Sequence, residues 1–179
     1  MRLRNWIEGM TEAMKFVVPA LSILSAIMLA ILVPGGPIET RSFARIDPVI
    51  LVAFNTFLTA LGLASLFLAY FTYRERRAAF MASALCGLGY FLVYVLDLSR
   101  IFPVSPDPMP RTLWAIEIAG AIVSLPLMAW SAIGFFRGTI QNEEGREAAL
   151  SRVTMWLGVP VVLVALGIIA FATFSAMRG

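Results

Sequence analysis

Five long windows without Asp, Glu, Lys or Arg constrain the fold of this chain more than any other feature. They cover residues 16–38, 48–73, 78–96, 118–136 and 153–177. Crossing the ~30 Å of hydrocarbon in a bilayer takes about 20 helical residues, and every window reaches or nearly reaches that length. Inside lipid the backbone must satisfy its own hydrogen bonds, which such continuous apolar runs achieve only as helices. The sequence therefore predicts an all-α integral membrane bundle of five transmembrane helices.

The segments between the windows are short and polar or rich in proline and glycine, as expected for connections between spans. Neither a second domain nor an internal repeat is evident. We therefore predict a single membrane domain over residues 1–179. Its approximate spans are 16–36, 48–73, 78–101, 112–136 and 153–177.

The composition also points to lipid as the solvent and excludes several kinds of chemistry. The chain is 60% hydrophobic and 14% charged, whereas a soluble domain carries about 25% charged residues. It has no histidine, and Cys86 is its one cysteine, so His-ligated haem or metal and His-dependent catalytic units are excluded. No cofactor is predicted, although a bound lipid or pigment is compatible with the composition.

The distribution of basic residues predicts the orientation. Alternate segments between the spans carry nine Lys plus Arg on one side and five on the other, and the richer side faces the cytoplasm. The N-terminus is then cytoplasmic and the C-terminus extracytoplasmic, in a bacterial cytoplasmic (inner) membrane. Because the basic residues lie at the ends of apolar runs, we interpret them as topology signals and do not expect nucleic acid as a partner.

The beginning of the chain allows two interpretations. The first apolar run exceeds the ~7–15 residues of a signal-peptide core, so we expect it to be retained as a span. Before it, Leu3, Ile7, Met10 and Met14 follow one another at helical spacing. This spacing predicts a short amphipathic helix on the membrane surface, with a frayed basic tail as the alternative.

Small and polar residues recur at helical spacing in three of the predicted spans. They are Asn55, Thr59, Gly62, Ala69 and Tyr73 in the second span; Ser83, Gly87, Tyr90, Tyr94 and Asp97 in the third; and Glu117, Gly120, Ser124 and Ser131 in the fourth. Such faces let membrane helices approach closely and form hydrogen bonds across the interface. Helix packing explains most of these residues, but polar groups inside a bilayer are also candidates for function.

The predicted depths bring part of these faces together near the outer end of the bundle. At 1.5 Å per residue, Asn55 lies roughly 10 Å below the outer end of its helix and Glu117 roughly 9 Å below Arg111. Asp97 lies about one turn inside the third span, where Arg100 could neutralise it at i+3. The candidate binding residues of this outer polar layer are Asn55, Thr59, Tyr90, Tyr94, Asp97, Arg100 and Glu117.

Two interpretations of the outer polar layer remain open. It forms a small cavity for a cation or polar solute if its carboxylates are buried together. Alternatively, Asp97 and Glu117 are ordinary interfacial carboxylates, because each borders a charge-free window almost long enough to span alone. Trp114, a residue type that favours the interface, lies one turn from Glu117.

Three functions follow, in order of preference. The first is an accessory or structural subunit of a larger membrane complex, which requires only packed helices and short loops. The second is a protein that binds or transports a small solute or ion through an outward-facing polar pocket. The third is a membrane enzyme acting on a lipid-like substrate, for which the sequence specifies no catalytic residue. The expected partners are the bilayer and either other membrane proteins or further copies of the chain.

Overall fold

The computed structural model of the chain describes residues 2–34, 36, 38–137 and 147–178. Five helices follow one another along it: α1 (Arg2–Ile31), α2 (Pro48–Tyr73), α3 (Arg77–Leu98), α4 (Arg111–Arg137) and α5 (Glu147–Arg178). Since the described residues contain no strand, the predicted all-α fold is confirmed. Among them, four segments are long and apolar enough to cross a membrane, namely Ala13–Ile31, Pro48–Tyr73, Arg77–Leu98 and Arg111–Arg137. A shorter apolar segment, Val161–Met177, lies in α5.

The first helix differs from the prediction at both ends. α1 is continuous from its start and passes through Pro19, so the leader forms the first turns of α1 and not a separate interfacial helix. The amphipathic face predicted there from Leu3 and Ile7 lies outside the described side chains. α1 ends at Ile31, five residues before the predicted end of the span, because Pro34 disfavours helix in the residues before it.

Local signals explain where α2 begins and where α3 ends. The carboxylate of Asp47 accepts a hydrogen bond from the backbone N–H of Val49 at 2.8 Å, and a proline occupies the first helical position after this N-cap. α3 ends at Leu98, three residues before the predicted end of its span. There Arg100 adopts a positive φ of 55°, and its N–H donates to the carbonyl of Asp97 at 2.8 Å.

The first four helices form a ring, and α5 lies outside it. Within the described residues α1 contacts α2, α2 contacts α3, α3 contacts α4 and α4 returns to α1, whereas α5 packs against α2. The approach of α3 to α4 depends on glycine. A Cβ built on Gly120 would lie 2.5 Å from the ring of Tyr94, and one built on Gly87 would lie 2.9 Å from the backbone nitrogen of Met128.

The faces predicted from small and polar residues are mostly the faces that the ring buries. Every predicted residue of the third and fourth faces is buried in α3 or α4. In α2 the residues Asn55, Thr59 and Ala69 are buried, while Tyr73 at the end of the helix is exposed. The prediction failed for Tyr73 because its ring packs on the outside of the bundle, against Phe16 of α1 at a centroid distance of 5.9 Å.

Polar side chains lie inside the ring and large apolar side chains lie on its surface. The buried polar residues include Ser22, Ser65, Ser83, Ser124 and Ser131. The exposed apolar residues include Leu85, Ile122 and Phe136, of which Phe136 is 80% exposed. This distribution is the reverse of that in a soluble domain, where polar residues are mostly exposed.

Two loops meet at one end of the bundle, which we call the loop end (residues 32–47 and 99–110). The hydroxyl of Ser105 donates to the carbonyl of Ser42 at 2.8 Å, and the N–H of Ser42 donates to the carboxylate of Asp107 at 2.8 Å. The N–H of Phe43 donates to the carbonyl of Ala176 in α5 at 2.9 Å. These bonds hold the first loop against the second loop and the end of α5.

Candidate ligand site

Arg41 in the first loop points into the loop end and joins two buried carboxylates. Its guanidinium donates to both oxygens of Glu39, at 2.6 Å from Nη2 and 3.0 Å from Nε. It also donates to both oxygens of Asp97 in α3, at 2.9 Å from Nη1 and 2.7 Å from Nη2. Paired contacts of this kind are the strongest that arginine makes with carboxylates. Burial disfavours the charged guanidinium, yet the hydrogen bonds and attraction from Asp97 and Glu39 outweigh it and raise the pKa of Arg41.

The correction to the predicted layer is that Asp97 pairs with Arg41 and not with Arg100. The i+3 argument holds while both residues are helical, but α3 ends at Leu98. Because Arg100 adopts a positive φ after the helix end, its side chain is exposed. The partner of Asp97 comes instead from a loop 56 residues earlier in the chain.

Glu117 of α4 is a carboxylate that forms no hydrogen bond within this network. Its side chain is fully buried, and neither of its oxygens has a hydrogen-bond partner among the described residues. The nearest cationic atom is Nη2 of Arg41, 3.7 Å from Oε1, which is too far for a hydrogen bond. Buried polar groups in native proteins nearly always have partners, and an exception calls for an explanation such as an ion or another ligand.

A small cavity of about 50 Å³ lies against Glu117, and we call it the Glu117 cavity. Its polar wall residues are Glu39, Asn55, Tyr94, Asp97 and Glu117, and the rest of its wall is apolar. The hydroxyl of buried Tyr94 also lacks a hydrogen-bond partner among the described residues. The cavity therefore accommodates only a small group of a few heavy atoms.

The wall of the Glu117 cavity contains more carboxyl groups than cationic groups. Its wall contains the carboxylates of Glu39, Asp97 and Glu117, and Arg41 is the cation that contacts them. A buried carboxyl group that is neither paired nor hydrogen-bonded takes up a proton or binds a cation. The arrangement therefore suits a cation that also donates hydrogen bonds. Among the described residues, no group of three or more carboxylates or thiols is arranged to hold a metal ion.

The remaining predicted residues surround the Glu117 cavity at different distances. Asn55 lines it and donates from Nδ2 to the hydroxyl of Thr173 in α5 at 3.0 Å. Tyr90 lies one turn from Tyr94, and its hydroxyl donates to Ser65 in α2 at 2.9 Å. Thr59 lies against a separate groove outside the ring. The structure thus brings Asn55, Tyr94, Asp97 and Glu117 together, and it places Tyr90, Thr59 and Arg100 elsewhere.

Sequence reasoning missed the contribution of the first loop. Arg41 was counted only among the basic loop residues and Glu39 was not singled out, although Glu39 lines the Glu117 cavity and Arg41 pairs with it. A signal was present, because a carboxylate and a guanidinium two residues apart follow directly after a proline- and glycine-rich break. The pattern does not predict that the loop folds inward, because the hydrogen bonds that hold it come from residues more than 60 positions away.

The sequence of this chain matches one family. Residues 14–150 match the model of a family described as "Domain of unknown function (DUF8051)". No curated protein and no solved structure matches the chain. The matched range contains every residue that lines the Glu117 cavity and most of the ring, whereas most of α5 lies beyond it.

Proposed function

The chain belongs to the family described as a domain of unknown function (DUF8051), and we propose that it is a multi-pass membrane protein that binds a small ammonium-type cation in the Glu117 cavity. The family description provides no activity, so the proposal rests on geometry. The observation that carries it is the buried carboxylate of Glu117, whose two oxygens have no hydrogen-bond partner among the described residues. An ammonium group supplies both the charge and the N–H donors that these oxygens lack.

The membrane part of the proposal is supported by helix length and by the reversed distribution of polar residues. Four segments are long and apolar enough to span a membrane. We assign α5 as the fifth span because its 32 residues are more than the about 20 helical residues that cross a bilayer. With the more basic side facing the cytoplasm, the loop end and the Glu117 cavity face outward. A reporter that is active only outside the cytoplasm should be active when fused after Arg178; activity of a cytoplasmic reporter there would overturn this topology.

The choice of an ammonium-type cation follows from volume and donor count. The cavity of about 50 Å³ is far smaller than the ~300–1,000 Å³ of most small-molecule sites, which favours a compact head group. Glu117 and Tyr94 offer three oxygens without hydrogen-bond partners, and a primary ammonium has three N–H donors. A quaternary ammonium is bulkier and has no N–H, so we expect it to bind poorly.

Calorimetric titration of the purified protein in mild detergent tests this proposal. We expect ethylammonium chloride to bind saturably, and tetramethylammonium chloride not to bind. Glu117→Gln keeps the shape of the side chain and removes its charge. It should weaken ethylammonium binding by about tenfold or more, as expected for the loss of a hydrogen bond to a charged group.

The matched control is Glu75→Gln in the turn between α2 and α3, where the carboxylate lies 3.5 Å from Lys15 and is half-exposed. This variant should bind ethylammonium like the wild type. Absence of saturable binding to the wild type, or equal binding by Glu117→Gln, would refute the proposal.

A role as an accessory subunit is the second candidate, and the position of α5 favours it. α5 packs against α2, while Leu163 and Leu166 on its surface are more than half exposed. In an assembled complex a partner helix would cover this surface. Native mass spectrometry after purification in mild detergent tests this role, because an accessory subunit should retain a protein partner in fixed stoichiometry. Catalysis on a lipid-like substrate stays a prediction.

A further inference from the structure

A long apolar groove runs along the outside of the ring, between α1 and α5 and over α2. It has a volume of about 650 Å³, within the ~300–1,000 Å³ that small-molecule sites occupy. Its wall is apolar except for Asn55 and Thr59. The residues that define its three sides include Ala26 and Ala30 of α1, Gly62 and Leu66 of α2, and Gly167 and Ile168 of α5.

Two glycines of the groove face open space and not a neighbouring helix. A Cβ built on Gly167 would meet no atom within 4 Å, and one built on Gly62 would meet only a side-chain carbon of Leu29 at 3.8 Å. This contrasts with Gly87 and Gly120, where a Cβ would clash with α4 or with Tyr94. Glycine lowers helix stability by about 1 kcal/mol relative to alanine. In the groove it leaves space, whereas inside the ring it permits close packing.

The groove adjoins the Glu117 cavity. The two spaces share five wall residues, which are Leu29, Leu32, Pro34, Asn55 and Leu58. Asn55 is the polar member of this shared wall, and its side chain is held by Thr173 of α5. An apolar space of several hundred cubic ångströms therefore lies next to a small acidic one.

From this juxtaposition we propose that the ligand is an amphipathic primary amine, with its ammonium head in the Glu117 cavity and its hydrocarbon chain in the groove. The inference rests on the proposed cation site and specifies which class of cation occupies it. The carboxyl groups of the Glu117 cavity favour a positively charged head group, and the apolar wall of the groove favours a hydrocarbon chain. Such a ligand reaches the site from the bilayer, where its chain is already dissolved.

Two probes, Glu117→Gln and three further variants test this inference in the full-length protein in detergent. The probes are ethylammonium, which has a head and almost no chain, and dodecylammonium, which has both. Gly167→Leu places a side chain in the groove, and its Cβ meets no atom within 4 Å. Ala170→Leu is the matched control, since Ala170 is an exposed residue of α5 that does not line the groove. Gly62→Leu repeats the test from α2 if Gly167→Leu does not fold.

We expect Gly167→Leu to weaken dodecylammonium binding about tenfold, as for the exclusion of about two methylene groups. Its binding of ethylammonium should stay within about twofold of the wild type, since the head site is untouched. Ala170→Leu should bind both probes normally. Each probe partitions into the detergent micelles to the same extent whichever variant is present. Comparing the variants with one probe therefore cancels the effect of this partitioning.

The failure of this inference is distinguishable from the failure of the cation site. If ethylammonium binds in a Glu117-dependent manner but Gly167→Leu leaves dodecylammonium binding unchanged, the groove holds no chain and only this inference is overturned. If Glu117→Gln binds dodecylammonium like the wild type, the groove takes any lipid chain, which also overturns it. A change in oligomer mass caused by Gly167→Leu would assign the groove to a second copy of the chain. If neither probe binds the wild type, both proposals fail.

Discussion

Replacement of Arg41 by methionine tests whether the buried ion-pair network holds the first loop against the ring. Arg41 donates hydrogen bonds to Glu39 and Asp97, and both residues are buried. Without the cation, these charges are left unpaired beside Glu117. Removing one partner of a buried ion pair costs about 3–5 kcal/mol, and we expect Arg41→Met to lower the free energy of unfolding by that amount.

The assay is reversible unfolding in mixed micelles, followed by the fluorescence of the four tryptophans. Arg77→Met is the control, because the Arg77 guanidinium is exposed and donates to the carbonyl of Phe135 at 3.1 Å. Exposed charged contacts contribute about 1 kcal/mol or less. If Arg41→Met loses no more stability than Arg77→Met, the network does not stabilise the fold and the reasoning is wrong. The double variant with Asp97→Asn should lose less than the two single losses together, since the residues interact directly.

The charge on Arg41 also predicts a response to alkali. A group whose pKa is raised by folding stabilises the folded state fully below its unfolded pKa and loses that effect only as the pH passes its folded value. Because the pKa of Arg41 is raised above its usual high value, its contribution should be constant from neutral to moderately alkaline pH. Arg41→Lys should lose stability at a lower pH than the wild type, because lysine has a lower intrinsic pKa. Identical pH profiles would contradict this assignment.

Three further substitutions test the packing of the bundle. Gly120→Ala places a methyl group 2.5 Å from the buried ring of Tyr94 and should destabilise the fold by about 1–3 kcal/mol. The Cβ of Gly167→Ala meets no atom within 4 Å, so this variant should stabilise α5 by up to about 1 kcal/mol. Thermal unfolding that ranks the two variants in the opposite order would contradict the helix positions. Thr173→Val removes the acceptor for Asn55 and should cost about 0.6 kcal/mol, the mean for hydrogen bonds between membrane helices. A loss well above 2 kcal/mol would show that this bond does more than attach α5.

The parts of the fold that follow from local chemistry could be predicted from the sequence. The charge-free window that begins at Pro48 predicted the start of α2, and helical spacing placed Asp97 and Glu117 on the small-residue faces of α3 and α4. Counting 1.5 Å per residue also placed Asn55 at their height, and the three now line one cavity. Periodicity and rise are properties of the helix itself, so they need no knowledge of its neighbours.

The parts that depend on distant contacts could not be predicted in this way. Arg100 is three residues from Asp97, and only the end of α3 explains why the two do not pair. Arg41 is 56 residues away, and its position is set by hydrogen bonds between two loops. A loop charge that faces inward looks the same in sequence as one that faces water. The approach of Arg41 to Glu117 at 3.7 Å likewise depends on the position of the first loop.

The measurement that tests the central claim most directly is the infrared difference spectrum of the protein upon addition of ethylammonium chloride. The carboxyl region reports the group that contacts the ligand, so a single side chain can be identified by its substitution. We predict a difference band in the wild type that is retained in Glu75→Gln and absent in Glu117→Gln. A band that persists in Glu117→Gln, or no band in the wild type, would contradict the assignment of Glu117 as the ligand-binding carboxylate.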